Sequence, residues 1–204
     1  ETPGLYLTGH PIDEYEKERA RFVSTRIADL KPSREPQRVA GLVVALRTMK
    51  SKRGDTMAFI TLDDRTGRIE ASLFGELYDQ LRGEIEADQV LIVEGEVSND
   101  DFSGGLRLRG KEVTPMVAAR TRYGEAVELS LDGATVKGRL VENLRERLSP
   151  HRNAEGLPVR LRYRNPVASG WLELGEQWRV APTDELLITL RDVEGQDGVR
   201  LKYR

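Results

Sequence analysis

The sequence predicts an α+β protein in two units, a closed five-stranded β-barrel followed by a smaller layer of strands and helices. Three observations carry that prediction. Residues 37–115 fall into five short runs of alternating apolar and polar residues, with one helical stretch between the third and fourth. Residues 124–204 read instead as strand, helix, strand, strand, helix, strand. A chain of 204 residues, 38% hydrophobic and 32% charged, also has enough apolar material for two small cores.

Residues 1–36 read as a lead-in helix and a linker. Gly9-His10-Pro11 ends one segment and begins another, with Pro11 suited to a first helical turn. Ile12, Tyr15, Phe22 and Val23 then recur at helical spacing. Pro32 and Pro36 break that pattern, so Ser33-Arg34-Glu35 reads as linker.

The first barrel strand is expected from Val39 to Thr48, followed by a basic loop holding Lys50, Lys52 and Arg53 around Gly54. Met57–Leu62 and Arg68–Phe74 supply the second and third strands. A helix at Glu76–Arg82 places Leu77 and Leu81 one turn apart. Gln89–Val97 and Leu106–Val113 complete the set across a long loop, Ser98–Gly105. Five strands with a helix between the third and fourth is the order of the oligonucleotide/oligosaccharide-binding (OB) fold, whose 1–2 and 4–5 loops flank the ligand face.

Residues 116–123 read as a connector beginning with a helical turn through Met116, Val117 and Ala118. The unit from 124 to 204 then takes strands at Ala126–Leu131, Leu157–Arg164, Trp171–Leu174 and Val199–Tyr203, with residues near Trp178 lengthening the third. Its helices are Val136–Leu148, with Val136, Leu140, Leu144 and Leu148 in one stripe, and Asp184–Arg191. The β-α-β-β-α-β order suggests a split βαβ sandwich.

Composition excludes several kinds of chemistry. The chain has no cysteine, hence no disulfide, thiolate nucleophile or cysteine-ligated zinc, and this fits a reducing cytoplasm. His10 and His151 are the only histidines, too few for a histidine metal cluster and poor supply for a Ser-His-Asp site. Asp63 and Asp64 are neighbours on a strand and face opposite ways, and Asp100-Asp101 sits where Asp favours turns. No phosphate-cradling Gly-x-x-x-x-Gly-Lys is present. We therefore expect no catalytic residues, no metal and no cofactor. No apolar run approaches the ~18 residues that span a bilayer, and the start at Glu1 rather than Met suggests a piece of a longer protein.

With a net charge of −2, any nucleic-acid contact must come from local patches. Strand alternation supplies one. If Leu106 and Leu108 point inward, Arg107, Arg109 and Lys111 point out together. The same rule turns Arg68, Ser72 and Phe74 outward on the third strand, and Met57, Phe59 and Thr61 on the second. Cations and flat apolar rings on one face suit unpaired nucleic acid. A row of outward Arg and Lys equally suits a solvated face or an edge guard, and a one-residue slip would turn both phenylalanines into the core.

In the second unit Arg160, Arg162 and Arg164 alternate with Val159, Leu161 and Tyr163. Trp171 and Trp178 are the only tryptophans. Both fit a core, while Trp178 and the turn after it also fit a protein-docking site. The final Val199, Leu201 and Tyr203 form a strand or an extended tail able to dock on a partner.

The stretches "GLYLTGHPIDEYEKE", "AGLVVALRTMKSKRGDTMAFITLDDRTGRIEASLF", "LIVEGEVSNDDFSGGLRL" and "WRVAPTDELLITLR" together resemble the C-terminal region of the bacterial replicative polymerases, the DNA polymerase III alpha subunits. The resemblance covers essentially the whole chain. It implies an OB domain at 37–115 that contacts single-stranded template through Lys50, Lys52, Arg53 and the fifth-strand row, and a domain at 124–204 that binds the tau subunit of the clamp loader, with Trp178, Arg179, Leu201 and Tyr203 as candidate contacts. It also implies that the polymerase carboxylates and the principal clamp-binding motif lie upstream. Some members end in a Gln-led apolar segment; the basic Gly198–Arg204 stands in its place here, which argues against contact with the sliding clamp. Two rival readings are a protein-interaction module whose barrel only spaces domains, and a tRNA-binding barrel, since the fold recurs with unrelated functions.

Overall fold

A computed structural model of the chain describes residues 15–23, 25–50, 54–101, 104–133, 139–194 and 198–204. The chain divides into two compact units between Met116 and Val117. In the first, helix α1 (Glu16–Phe22) brings Tyr15 and Phe22 against Leu42, Val90 and Met116. The Ile12 and Pro11 part of the expected lead-in helix lies outside the described residues.

The barrel strands are β1 (Ser33–Lys50), β2 (Thr56–Asp63), β3 (Arg68–Phe74), β4 (Val90–Asn99) and β5 (Leu106–Pro115), closed in the order β1-β2-β3-β5-β4. Only the β3–β5 pairing is parallel. Helix α2 (Glu76–Leu81) contributes Tyr78 and Leu81 to the same core as Ile60, Leu73, Val93 and Leu108. The OB architecture and the α+β class are as the sequence predicts.

One expectation needs correction at the start of the barrel. Ser33-Arg34-Glu35 is the beginning of β1, not a linker. Pro36 is tolerated because the β1–β4 register shifts between Ser33 and Gln37, where no ladder N–H is demanded of it.

Two bulges set which side chains face out. Between Val43, opposite Leu62, and Ala45, opposite Thr61, Val44 is an extra residue. Between Gly110, opposite Gly95, and Glu112, opposite Glu94, the extra residue is Lys111. At that second crossing β4 and β5 approach closely. A Cβ on Gly95 would overlap the Arg109 carbonyl, and one on Gly110 would lie 2.5 Å from Leu73 Cδ2.

The paired aspartates are structural, as expected. Asp64, buried in the β2–β3 turn, accepts from the N–H of Thr66 at 2.9 Å, the Thr66 hydroxyl at 2.6 Å and the N–H of Ile27 at 2.9 Å. Asp63 accepts from Arg65 N at 2.8 Å and Arg68 Nε at 2.6 Å. Arg65 takes φ 70°, the left-handed conformation that closes the turn.

The second unit follows α3 (Met116–Tyr123). Its strands β6 (Gly124–Asp132), β8 (Val159–Arg164), β9 (Ser169–Glu173) and β10 (Val199–Tyr203) form a four-stranded sheet in the order β10-β6-β8-β9. Helices α4 (Leu140–Leu148) and α5 (Asp184–Glu194) pack Leu144, Leu148, Leu186 and Leu190 against Val127, Leu129 and Val159. The predicted element order holds, but β6 and β8 are adjacent and parallel, so the βαβ unit is not split.

The strand expected at Leu157–Arg164 is two, β7 (Arg152–Leu157) and β8, parted by Pro158. Proline has no N–H to give the ladder, though its carbonyl accepts from Val127 at 2.9 Å. Trp178 does not lengthen β9; it ends a 3-10 turn, Glu176–Trp178. The Val136 end of the predicted helix lies outside the described residues.

Candidate nucleic-acid interface

Cross-strand partners share a face, so the barrel register reads as rows of side chains. The buried row is Ile60, Ala71, Leu108 and Val97. One step along, on the outer face, Arg47 lies opposite Phe59, Phe59 opposite Ser72, Ser72 beside Arg109, and Arg109 opposite Glu96. A flanking outer row runs Thr61, Glu70, Arg107, Ser98, and the other flank holds Met49, Met57 and Phe74. Apart from Thr61, Met49 and Met57, these outer rows line a groove of about 990 Å³, whose walls include Arg34, Asn99 and Asp100.

Arginines are laid over both rings. The Arg47 guanidinium carbon is 4.2 Å from the centre of Phe59, and that of Arg109 is 5.5 Å from the centre of Phe74. Arg47 is also tied to Glu70, its Nη2 donating to the two carboxylate oxygens at 2.9 and 3.1 Å. Arg107 donates from Nε to the Ser98 hydroxyl at 3.2 Å. Among the described residues neither Arg107 nor Arg109 forms an ion pair. Glu96 is paired with Lys111 at 2.6 Å, and that hydrogen bond is the main cause holding its carboxyl below the ordinary carboxylate range. Arg107, Arg109 and Arg34 thus enter the groove with no ion pair among the described residues, beside a ring that is 40% exposed in Phe74.

Two family models match parts of this chain. Residues 37–116 match the family described as OB-fold nucleic acid binding domain, and residues 143–195 match DNA polymerase III subunit alpha, C-terminal domain. The DNA polymerase III subunit alpha of Pseudomonas fluorescens is 52% identical over 204 residues, 100% of this chain. The chain belongs to the DNA polymerase III alpha-subunit family. The same subunit of Escherichia coli K12 is 43% identical over 206 residues, again covering 100% of this chain. The chain spans 17% of the length of the first relative and 18% of the second. Among solved structures, the second OB-fold domain of replication protein A from Methanococcus maripaludis aligns with a TM-score of 0.37 and 24% identity, over 45% of this chain and 93% of that one.

Within this alpha-subunit region the structure brings together Phe59, Phe74, Arg107 and Arg109 of the predicted site. Arg68 lies on the outer face but beyond the groove, held by Asp63. Lys111, the bulge residue, is turned to Glu96 and does not line the groove. Lys50, exposed opposite Thr56, is one step off the alternation of Arg47 and Met49. Lys52 and Arg53 lie outside the described residues.

Sequence reasoning missed Arg34, Arg47 and Glu70. Arg34 was hidden between two prolines. Arg47 was hidden by the Val44 bulge: unbroken alternation from the buried Val39 and Val43 would carry Arg47 inward.

In the second unit, Trp178 is half-buried against the core, with the Arg152 guanidinium carbon 5.3 Å from its ring centre. The Arg179 carbonyl accepts from Asn153 at 2.9 Å. Leu201 packs on the core from β10, and Tyr203 pairs with Gly124. Trp171 at 56% and Leu172 at 60% are more exposed than Trp178, and both lie on the edge strand β9. Among the described residues no cluster of three metal-ligating side chains occurs, and no helix is long and apolar enough to cross a membrane.

Proposed function

We propose that this region is a non-catalytic part of a cytoplasmic DNA-directed DNA polymerase, and that its barrel holds single-stranded template DNA. The observation that carries the reading is the outer row Arg47, Phe59, Ser72, Arg109, with Phe74 and Arg107 on its flanks. Guanidiniums take phosphates and ring faces take unpaired bases, neither with regard to sequence, as copying any template requires. Lys50, Lys52 and Arg53, which the resemblance implies as template contacts, enter this proposal as further cations for the same strand. A fluorescence anisotropy titration of the chain with a labelled oligothymidylate at low salt tests this. Saturable binding, weakened by salt and by Arg109→Ala, is expected; no binding at low salt overturns it.

The second unit, in the same reading, docks the polymerase on the tau subunit of the clamp loader through Trp178, Arg179, Leu201 and Tyr203. Tryptophan and arginine are the residue types enriched at binding hot spots, and the exposed Trp171 and Leu172 offer apolar surface close by in sequence. Capture of purified tau by the chain, lost in a Trp178→Ala, Tyr203→Ala variant that keeps its melting temperature, is the expected result. Unchanged capture removes those residues from the interface.

A further inference from the structure

We propose that Glu70 is a built-in competitor for template phosphate, holding Arg47 across the face of Phe59 until a phosphate takes its place. The proposal rests on the groove being the single-strand site. Its geometry is specific. Arg47 Nη2 reaches both oxygens of the Glu70 carboxylate while its guanidinium covers the Phe59 ring. Glu70 is also the parallel partner of Arg107 on β5, so its strand position lies beside that of a second arginine of the groove.

An anionic oxygen pair so placed meets the charge-assisted hydrogen bonds that a phosphate would meet. Both partners are about half exposed, 55% for Arg47 and 43% for Glu70, and ion pairs in water are weak enough to exchange readily. Glu96 differs. Its hydrogen-bonded partner is Lys111, which does not line the groove, and Glu96 reaches the groove's Arg109 and Arg34 only through space, with no ion pair to either.

Two consequences follow for a bound strand. A base reaches Phe59 only after Arg47 swings aside, or stacks on the Arg47 plane instead. A phosphate that takes Arg47 leaves the Glu70 charge beside the backbone, which favours release. The groove is thereby tuned to hold template loosely, as a strand that must be drawn past the enzyme requires.

The test uses the 204-residue chain, a labelled oligothymidylate and a series of salt concentrations. Glu70→Gln keeps the shape and a hydrogen-bonding oxygen but removes the charge. It should bind about two- to fivefold tighter at low salt, with log K falling more steeply against log salt by about 0.7. Most of that gain should vanish in Arg47→Ala, Glu70→Gln. Glu94→Gln removes the same charge from a pair with Arg38 outside the groove and should match the wild type; Glu70→Ser repeats the test should the glutamine variant melt early. Wild-type protein that does not bind overturns both the groove reading and this proposal. Wild-type binding with Glu70→Gln equal to Glu94→Gln, or weaker than wild type, overturns this proposal alone.

Discussion

Arg109 lies over Phe74, its guanidinium carbon 5.5 Å from the ring centre, because Ser72, two residues before Phe74, is the parallel partner of Arg109 across the barrel closure. An outward ring capped by a guanidinium is a stacking platform for an unpaired base. Phe74→Ala should weaken oligothymidylate binding by about 5- to 150-fold, from ~1–3 kcal/mol per stacked base. The ring is 40% exposed and outside the core, so the melting temperature should hardly move. Anisotropy beside a thermal melt checks both halves.

Arg107 and Arg109 are, with Arg34, the groove cations that form no ion pair among the described residues. Replacing both with Ala should flatten the salt dependence of log K by about 1.4, from ~0.7 per phosphate contact on a single strand. Arg68 is held by Asp63 away from the groove, and Arg68→Ala should leave the slope unchanged. Matched titrations of the two variants across salt decide whether the groove or the general charge of the barrel binds.

The β4–β5 crossing positions both arginines. Gly95→Ala would drive a Cβ into the Arg109 carbonyl, which is backbone and has little room to give. We expect a loss of roughly 1–3 kcal/mol, as for overpacking elsewhere, read as a lower urea midpoint with unchanged slope. DNA affinity should fall along with it, because β5 carries Arg107 and Arg109.

The second unit has an acid-sensitive corner. Hydrogen bonds from Arg160 and then Lys202 hold the Glu125 carboxyl below its ordinary value of 4.5, against the opposing effect of desolvation. A carboxylate whose folded pKa is depressed stabilises the fold above its unfolded pKa, and that contribution is lost as pH falls through the folded value. Stability of the chain should therefore drop below about pH 4.5 in the wild type, with a shallower drop in Glu125→Gln. Identical denaturation profiles from pH 6 to pH 3 would remove Glu125 from the account.

How much of the site was legible can be argued from single residues. Phe59, Phe74, Arg107 and Arg109 were found because the apolar residues alternating with them, such as Leu73 and Leu108, fixed their outward parity over short, unbroken runs. Arg47 was not found because the Val44 bulge inverts parity midway along β1. Lys111 was misplaced for the same reason, since it is itself the bulged residue. Sequence gives little warning of a bulge, which depends on how two strands already paired relieve their twist.

The amino-acid order alone determined most of the barrel's elements and their sequence, the OB barrel with its inserted helix, the α+β character of the second unit, and the structural roles of Asp63 and Asp64. All of these rest on local periodicity and turn chemistry, which act between near neighbours in the chain. The tertiary structure alone decided the parallel closure of β3 on β5, the adjacency of β6 and β8, and the meeting of Arg47, Glu70 and Phe59 in one groove. Those depend on register between strands far apart in the chain, and register is chosen by closing a whole barrel or sheet around its core, not by any one segment.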